Sequence, residues 1–276
     1  MNTAAPTQDL TLALWQTPYA PDTATALAAL DATAAQAVAR GADVLVCPEM
    51  SLTGYLLGSQ RIAALAEPVD GPLLRAVAAI ARRHGIAIAV GWPLATATQP
   101  HNAVAFIGAD GTLLHTYAKT HLFGDADRAQ FTPGPVLPSV FAYRGWRLGL
   151  LICFDVEFPE PVRHLALQGA DAVLVPTANM IEYDEVPTLL APARACENRM
   201  YVAYANACGR EGDTTYGGWS TVAGPLGEVL ARAGRDAALT TVTLRAVDLA
   251  QARLSSPLPH RRTDLYGNVD GGSPGL

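Results

Sequence analysis

Short apolar runs alternate with amphipathic segments along the first third of the chain. Residues 10–15 are predicted to form a first strand, and residues 44–47 are a continuous apolar run, which is typical of a strand covered on both faces. Between them, Asp22 is placed to cap a helix whose apolar residues recur at helical spacing. A second helix over residues 72–84 leads to another strand at 86–91. This alternation predicts parallel strands that are joined by helices.

The pattern changes in the middle of the chain. Residues 104–107 and 113–117 flank Ala109-Asp110-Gly111, a hairpin signal that predicts antiparallel strands. The polar segment 119–138 predicts no regular element. Beyond it, the apolar pattern predicts strands on either side of Arg144-Gly145 and at 172–175, 201–205, 220–223 and 239–244, and helices at 161–168, 186–199 and 246–254. The chain is therefore expected to be an α/β protein with mixed sheets.

Composition narrows the class of protein. Half of the 276 residues are hydrophobic and 16% are charged, which is enough apolar material for a large core. No linker is visible, so we predict one domain over residues 1–276, with a core at about 10–245 and a tail at 246–276. The net charge of −6 argues against nucleic acid or an anionic membrane as partner. No apolar run approaches the roughly 18 residues of a membrane helix, and no signal-peptide pattern is visible. A cytoplasmic location is therefore expected.

Two segments of the sequence resemble each other. Residues 40–48 and 168–176 each end a helix, turn at glycine and aspartate, and enter an apolar run that closes on proline. One interpretation is that the chain has two related halves, each of which delivers a strand end to a shared cleft. The other is that helix-to-strand turns generally favour Gly and Asp.

Cys153 stands where an apolar run, residues 146–152, meets a segment that Pro159 opens as a helix. Sites of parallel-sheet enzymes lie at the carboxyl ends of strands, and a helix N-terminus favours a thiolate. A reactive thiol is thus one prediction, and a small core residue is the alternative. The four cysteines lie far apart without a Cys-x-x-Cys pair, which argues against a zinc site or a disulfide framework. Three of them are expected to be structural: Cys47, Cys196 and Cys208.

A reactive cysteine needs a base, and the six histidines show no Asn or Asp companion in the papain-like pattern. Glu49 directly follows the apolar run 44–47, where desolvation would raise its pKa and suit it to accept a thiol proton. Lys119 also follows a predicted strand, and a fixed ammonium there can stabilise an oxyanion. Taken singly, each is better explained as a surface charge.

Together, the order and spacing of Glu49, Lys119 and Cys153 closely resemble the nitrilase superfamily of carbon–nitrogen hydrolases. The resemblance spans roughly residues 10–244. It rests on motifs that follow one another in order: Pro48-Glu49-Met50, Lys119-Thr120-His121-Leu122-Phe123, Phe131-Thr132-Pro133-Gly134, Cys153-Phe154-Asp155, Pro176-Thr177-Ala178-Asn179 and Gly218-Trp219-Ser220.

The resemblance implies a four-layer α-β-β-α sandwich whose protomers pair as a homodimer, and a reaction that needs no cofactor or metal. It implies that Glu49 acts as general base and then acid, and that Cys153 attacks the carbon of the C–N bond. Lys119, with the backbone N–H of Phe154, would bind the oxyanion. Asp127 lies where the family often has a second glutamate and is a fourth catalytic candidate, with a solvated loop acid as the alternative.

Within the superfamily, the Lys119 motif and the tail Arg261-Arg262-Thr263-Asp264-Leu265-Tyr266 resemble the bacterial amidase-like branch. The expected substrate is therefore a small amide, hydrolysed to the acid and ammonia. A nitrilase, which usually carries Cys-Trp-Glu, remains an alternative, as does an N-carbamoyl amidohydrolase, for which no cationic anchor is identified. A catalytically silent scaffold is the non-enzyme alternative. Residues near the motifs are the substrate-binding candidates: Tyr55, Phe123, Phe154, Asn179, Met180 and Tyr183. Residues 158–163 and the tail are the expected dimer contact.

Overall fold

The computed structural model describes residues 6–266. The first half of the chain forms these elements in order: β1 (Leu10–Gln16), α1 (Thr23–Ala39), β2 (Val44–Val46), α2 (Ser59–Leu65), α3 (Pro72–His84), β3 (Ala87–Leu94), β4 (His101–Ile107), β5 (Leu113–Ala118) and α4 (Gly124–Gln130).

The second half continues with a strand pair and a helix that follow the cysteine segment, and then alternates until the tail. Its elements are β6 (Phe141–Tyr143), β7 (Trp146–Leu150), α5 (Pro159–Leu167), β8 (Ala172–Thr177), α6 (Ala191–Asn198), β9 (Tyr201–Asn206), β10 (Cys208–Glu211), β11 (Thr214–Gly217), β12 (Thr221–Ala223), β13 (Val229–Arg232), β14 (Ala238–Leu244), α7 (Ala246–Leu254) and α8 (Thr263–Tyr266). Short 3₁₀ turns lie at Cys153–Glu157, Ile181–Tyr183 and Leu258–His260, and a π-helical turn at Val186–Leu190 precedes α6.

Two six-stranded mixed sheets form the frame. The first has the strand order β14-β1-β2-β3-β4-β5, with parallel pairing from β1 to β3 and antiparallel pairing elsewhere. The second has the order β13-β12-β9-β8-β7-β6, with parallel pairing from β7 to β9. The mixed sheets predicted from the hairpin signal are confirmed.

The alternation of side chains along the strands separates the layers. On β2, Leu45 packs with residues of α1 and α3, whereas Val44 and Val46 pack with residues of the second sheet. On the far side of the second sheet, Val162 of α5 and Ala195 of α6 join the same core. The protein is therefore the expected four-layer α-β-β-α sandwich, in which the two sheets face each other.

The sequence prediction missed helices α2 and α4 and three strands of the sheets and hairpin, and the reasons are physical. The segment 119–138 contains α4, whose buried residues include Asp127 and Gln130, so a search for apolar periodicity does not find it. Helix α2 buries one residue, Ile62. The hairpin β10–β11 is largely polar, and the edge strand β13 has a mostly exposed pattern. Apolar periodicity is informative only where an element buries apolar side chains.

The two similar sequence segments make the same contacts. Asp43 accepts a hydrogen bond from the backbone N–H of Thr11 (2.9 Å), and Asp171 accepts one from Arg147 N–H (2.8 Å). In each case the aspartate binds the strand that runs parallel to the one it introduces, β1 for β2 and β7 for β8. The correspondence supports the interpretation that the chain has two related halves.

The predicted tail begins with a helix that is partly buried. Leu249 of α7 is fully buried and packs in the inter-sheet core. The rest of the predicted tail contact falls partly on residues 267–276, which lie outside the described residues. Among residues 6–266, no helix has the length and apolar character needed to cross a membrane.

Candidate active site

Three strand ends carry the three residues that the sequence singled out. Glu49 follows β2, Lys119 follows β5, and Cys153 lies three residues beyond β7. The backbone of Glu49 is fixed across the two sheets, because its N–H donates to the Thr177 carbonyl at 3.3 Å. The C-terminal ends of strands from both sheets therefore meet at one place.

Lys119 is held between two carboxylates. Its Nζ donates to Glu49 Oε1 at 2.8 Å and to Asp127 Oδ2 at 2.7 Å, and all three residues are fully buried. Asp127 Oδ2 also accepts the backbone N–H of Phe123 at 2.9 Å. The alternative for Asp127, a solvated loop acid, is wrong, because α4 turns this side chain into the interior. Lys119 is also the only lysine in the sequence.

Each buried carboxylate keeps one oxygen without a hydrogen bond. Glu49 Oε1 accepts from Asn102 Nδ2 at 2.6 Å as well as from Lys119, whereas Glu49 Oε2 has no partner among the described residues. The same is true of Asp127 Oδ1. A buried acceptor without a donor is costly, so an oxygen in this state is ready to accept a proton or a substrate N–H.

Burial and neighbouring charges shift the pKa values of Glu49 and Lys119. Burial raises the pKa of Glu49, Lys119 lowers it and Asp127 raises it, with a net rise above the ordinary value. Burial alone would lower the pKa of Lys119, but the two carboxylates outweigh burial and raise it. Lys119 thus stays an ammonium, while Glu49 is well suited to take up a proton.

Cys153 begins the 3₁₀ turn at a half-buried position with a φ of 47°, a left-handed conformation that is uncommon outside glycine. Burial raises the pKa of its thiol, the nearby Glu49 carboxylate raises it further, and Lys119 lowers it. The net shift is upward, which favours a protonated thiol in the resting site. A protonated thiol needs a base at the moment of attack.

Cys153 lines a small, largely enclosed pocket. The predicted substrate-binding residues divide into two groups here. Four of them line the pocket with Cys153, Glu157 and Ala178: Tyr55, Phe123, Asn179 and Met180. Phe154 and Tyr183 instead pack edge-to-face on Phe123, with ring centroids 5.2 and 5.4 Å away.

Asn179 is fixed by the fold and its amide is already in use. Its Nδ2 donates to the Tyr183 carbonyl at 2.9 Å, and its backbone N–H donates to Asn206 Oδ1 at 2.8 Å. Asn179 therefore holds the 3₁₀ turn Ile181–Tyr183 over the pocket and shapes the wall more than it offers free hydrogen-bonding groups.

Residues 11–254 of the chain match the carbon–nitrogen hydrolase family. The chain belongs to this family. The resemblance inferred from the motifs is thereby confirmed, and the protein is an enzyme of the carbon–nitrogen hydrolase class.

Relatives of this hydrolase include characterised amidases. A protein described as a hydrolase in the pqqF 5' region of Pseudomonas protegens is 46% identical over 261 residues, covering 94% of this chain and 91% of the relative. An (R)-stereoselective amidase of Pseudomonas sp. is 36% identical, and the match covers 82% of this chain and 81% of the relative. A solved structure of an amidase variant from Nesterenkonia sp. AN1 is 34% identical and has a TM-score of 0.83, with 94% of this chain and 99% of that chain covered. That structure is described as showing Michael addition of acrylamide at the active site cysteine.

Three polar residues of the hydrolase's site had no assigned role at the sequence level. Asn102 follows His101 at the start of the otherwise apolar strand β4, a signal that is visible but unspecific. Asp155 and Glu157 follow Cys153 closely, but their directions depend on the 3₁₀ turn. Sequence spacing alone cannot tell which of them faces the pocket.

Asp155 joins the cysteine turn to the lysine segment. Its Oδ2 accepts from Tyr117 Oη and the Ile152 N–H, at 3.0 and 3.1 Å. Its Oδ1 accepts from Thr120 Oγ1 at 2.9 Å and the backbone N–H of His121 at 3.0 Å. Because Asp155 is fully buried, these bonds fix the position of the hydrolase's Cys153 turn relative to Lys119.

Among residues 6–266, no group of three or more His, Cys, Asp or Glu side chains is arranged to hold a metal ion.

Proposed function

We propose that the protein is an amidase that hydrolyses a small carboxamide to the carboxylic acid and ammonia, with Cys153 as nucleophile. The observation that carries the proposal is the placement of Lys119. Its ammonium lies between Glu49 and Asp127, fully buried, beside a pocket that Cys153 lines. The amidases among the relatives support the same reaction class.

The first half-reaction starts when the Cys153 sulfur attacks the amide carbon and its proton passes to Glu49. The carbonyl oxygen gains the negative charge, which the Lys119 ammonium stabilises together with the backbone N–H of Phe154. The C–N bond then breaks, Glu49 returns its proton to the leaving nitrogen, and ammonia departs. The product is a thioester on Cys153.

The second half-reaction is hydrolysis of that thioester. Glu49 takes a proton from water as the oxygen attacks the thioester carbon, and Lys119 again faces the oxyanion. Collapse releases the acid, and the thiol recovers its proton. Asp127 is proposed to hold Lys119 in place and to balance its charge, because its Oδ2 contacts Nζ at 2.7 Å.

The reaction is tested by measuring ammonia release from propionamide, a small nitrile and an N-carbamoyl compound. We expect release from propionamide, and reaction of the nitrile alone would overturn the amidase proposal. The Cys153→Ala variant is expected to lose all turnover, whereas the Cys196→Ala variant removes a half-buried thiol outside the pocket and keeps it. A scaffold protein would show no turnover with either form.

The intermediate is tested by mass spectrometry after rapid quenching with substrate. We expect an acyl adduct on Cys153. An adduct confined to other cysteines would contradict the mechanism. Cys47 and Cys208 are buried and do not line the pocket, which makes them poor competitors.

We also propose that the enzyme acts in the cytoplasm as a homodimer that contacts through residues 158–163 and the tail. Light scattering after gel filtration measures the assembly. A monomer at micromolar concentration would contradict the dimer. Charge substitution at Val162 is not suitable as a test, because this side chain is buried in the core.

A further inference from the structure

Glu157 is a carboxylate of the pocket that the proposed reaction does not use. It lines the same cavity as Cys153 and is half-buried in the wall. Among residues 6–266, no Lys, Arg or His nitrogen lies within 4.0 Å of its carboxylate oxygens. A half-buried carboxylate without an ion-pair partner is uncommon, since desolvation is normally offset by a counter-charge.

The cations nearest to Glu157 are already engaged. Lys119 is held by Glu49 and Asp127. The guanidinium of Arg194 donates to the backbone carbonyls of Val156 and Glu157, at 3.1 and 2.5 Å, and contacts the Glu197 carboxylate at 3.4 Å. Neither cation is free to neutralise Glu157.

A second carboxylate adds to the negative charge around Glu157. Glu185 lies in the exposed segment just before the π-helical turn, close enough for its charge to raise the pKa of Glu157. The pocket is therefore lined both by the Cys153 thiol and by a carboxylate that has no ion-pair partner. A ligand that carries a positive charge would supply the missing partner.

We propose that Glu157 makes the enzyme select carboxamides that carry an ammonium or other cationic group a few bonds from the amide carbonyl. This inference rests on the proposed amidase function and names the substrate class for it. Glu157 acts by attraction of a substrate cation and, equally, by repulsion of a substrate carboxylate, so amides of dicarboxylic acids are disfavoured.

The charge state of Glu157 gives the selection a pH dependence. Burial and, less strongly, the Glu185 charge raise the pKa of Glu157, the Lys119 and Arg194 charges lower it, and the resulting pKa is about 7. Because the group is neutral below this pKa and negative above it, preference for a cation grows as pH rises through about 7. The other titratable groups near it, Cys153, Tyr55 and Tyr204, have pKa values raised by burial and stay uncharged over this range.

Three amides of similar shape test the selection: 3-aminopropanamide as the cation, butyramide as the neutral form and succinamate as the anion. In kcat/KM at pH 8, we expect the cation to exceed butyramide by about fivefold or more and succinamate to fall below both. In Glu157→Gln the ratio of cation to neutral amide should approach one. The control variant Glu160→Gln removes an exposed acid from the first turn of α5 and should keep the wild-type ratio of cation to neutral amide.

The pH dependence is tested by comparing 3-aminopropanamide with butyramide at about pH 6 and pH 8, on either side of the Glu157 pKa of about 7. The ratio should rise in the unchanged enzyme and stay flat in Glu157→Gln. An equal rate for cation and butyramide, or a ratio that survives in Glu157→Gln, would overturn the inference while leaving the amidase intact.

A binding measurement tests the substrate selection independently of amide hydrolysis. Calorimetry on the Cys153→Ala variant, which cannot form the thioester, measures the affinity for 3-aminopropanamide and butyramide. Tighter binding of the cation supports the selection even if no amide is turned over, whereas equal affinity contradicts it. Absence of turnover for all three amides overturns only the proposed function.

Discussion

The site has a closed side and an open side, and they are built differently. On the closed side, Lys119 and its two carboxylates have no exposed surface and are held by strand ends and backbone hydrogen bonds. On the open side, Glu157 is half-buried and Tyr183 is 37% exposed, on short 3₁₀ turns.

The difference separates two tasks. Charged groups that must keep one geometry are placed where water cannot compete and where the surrounding sheet restricts movement. Groups that contact variable parts of a substrate stand on turns, where substitution disturbs little else. Asp155 connects the two sides, because one carboxylate binds both the Cys153 turn and the segment after Lys119.

The largest effect is expected from Lys119→Met. The substitution leaves Glu49 and Asp127 buried side by side without their counter-charge, which should lower the free energy of unfolding by about 3–5 kcal/mol. Amide turnover should fall about 100-fold or more, because the oxyanion loses its main donor. Urea unfolding and ammonia release measure the two effects.

The control for this variant is Arg210→Met, which removes an exposed cation from β10. Its unfolding free energy should change by less than about 0.5 kcal/mol. A Lys119→Met protein as stable as the control would show that the closed side does not depend on this ammonium.

Asp155→Asn should have an intermediate effect that tests the connection between the sides. The amide cannot accept all the hydrogen bonds of the carboxylate, so the Cys153 turn should shift relative to Lys119. We expect a fall in kcat of about 10- to 100-fold with little change in KM.

Asp171→Asn is the matched control, since Asp171 is also a buried aspartate that binds a backbone N–H and an arginine, but it lies outside the pocket. Both variants should lose about 1–3 kcal/mol of unfolding free energy. If kcat fell equally in both, Asp155 would be only a structural residue.

The smallest effect is expected from Tyr183→Ala on the open side. The phenol ring packs edge-to-face on Phe123, and its loss should raise KM a few-fold while kcat remains unchanged. The cost in unfolding free energy should be about 1 kcal/mol or less. A large loss of kcat would show that the open side contributes to the reaction step itself.

How much of the fold and the site could be predicted from the sequence depended on which side chains each element buries. The strands that end at Glu49 and near Cys153 are apolar runs, so both the sheets and the strand-end positions were predictable. Helix α4 buries Asp127 and Gln130, so neither its existence nor the direction of Asp127 could be derived from apolar periodicity.

The open side was the harder part. Within the turn Cys153–Glu157, the sequence names the acids but not which one points inward, and only the backbone geometry puts Asp155 in the interior and Glu157 at the pocket. Proximity along the chain suggested Phe154 and Tyr183 as substrate-binding residues, but it could not indicate that both rings pack on Phe123.

The single lysine has a practical consequence for spectroscopy. Because the chain contains one ε-ammonium, isotopic labelling of lysine with ¹⁵N gives one side-chain signal, and that signal comes from the centre of the site. Full burial shields this group from solvent, so its protons should exchange slowly enough to be observed. Their exchange rate would then report, at a single atom, how often the closed side opens to water.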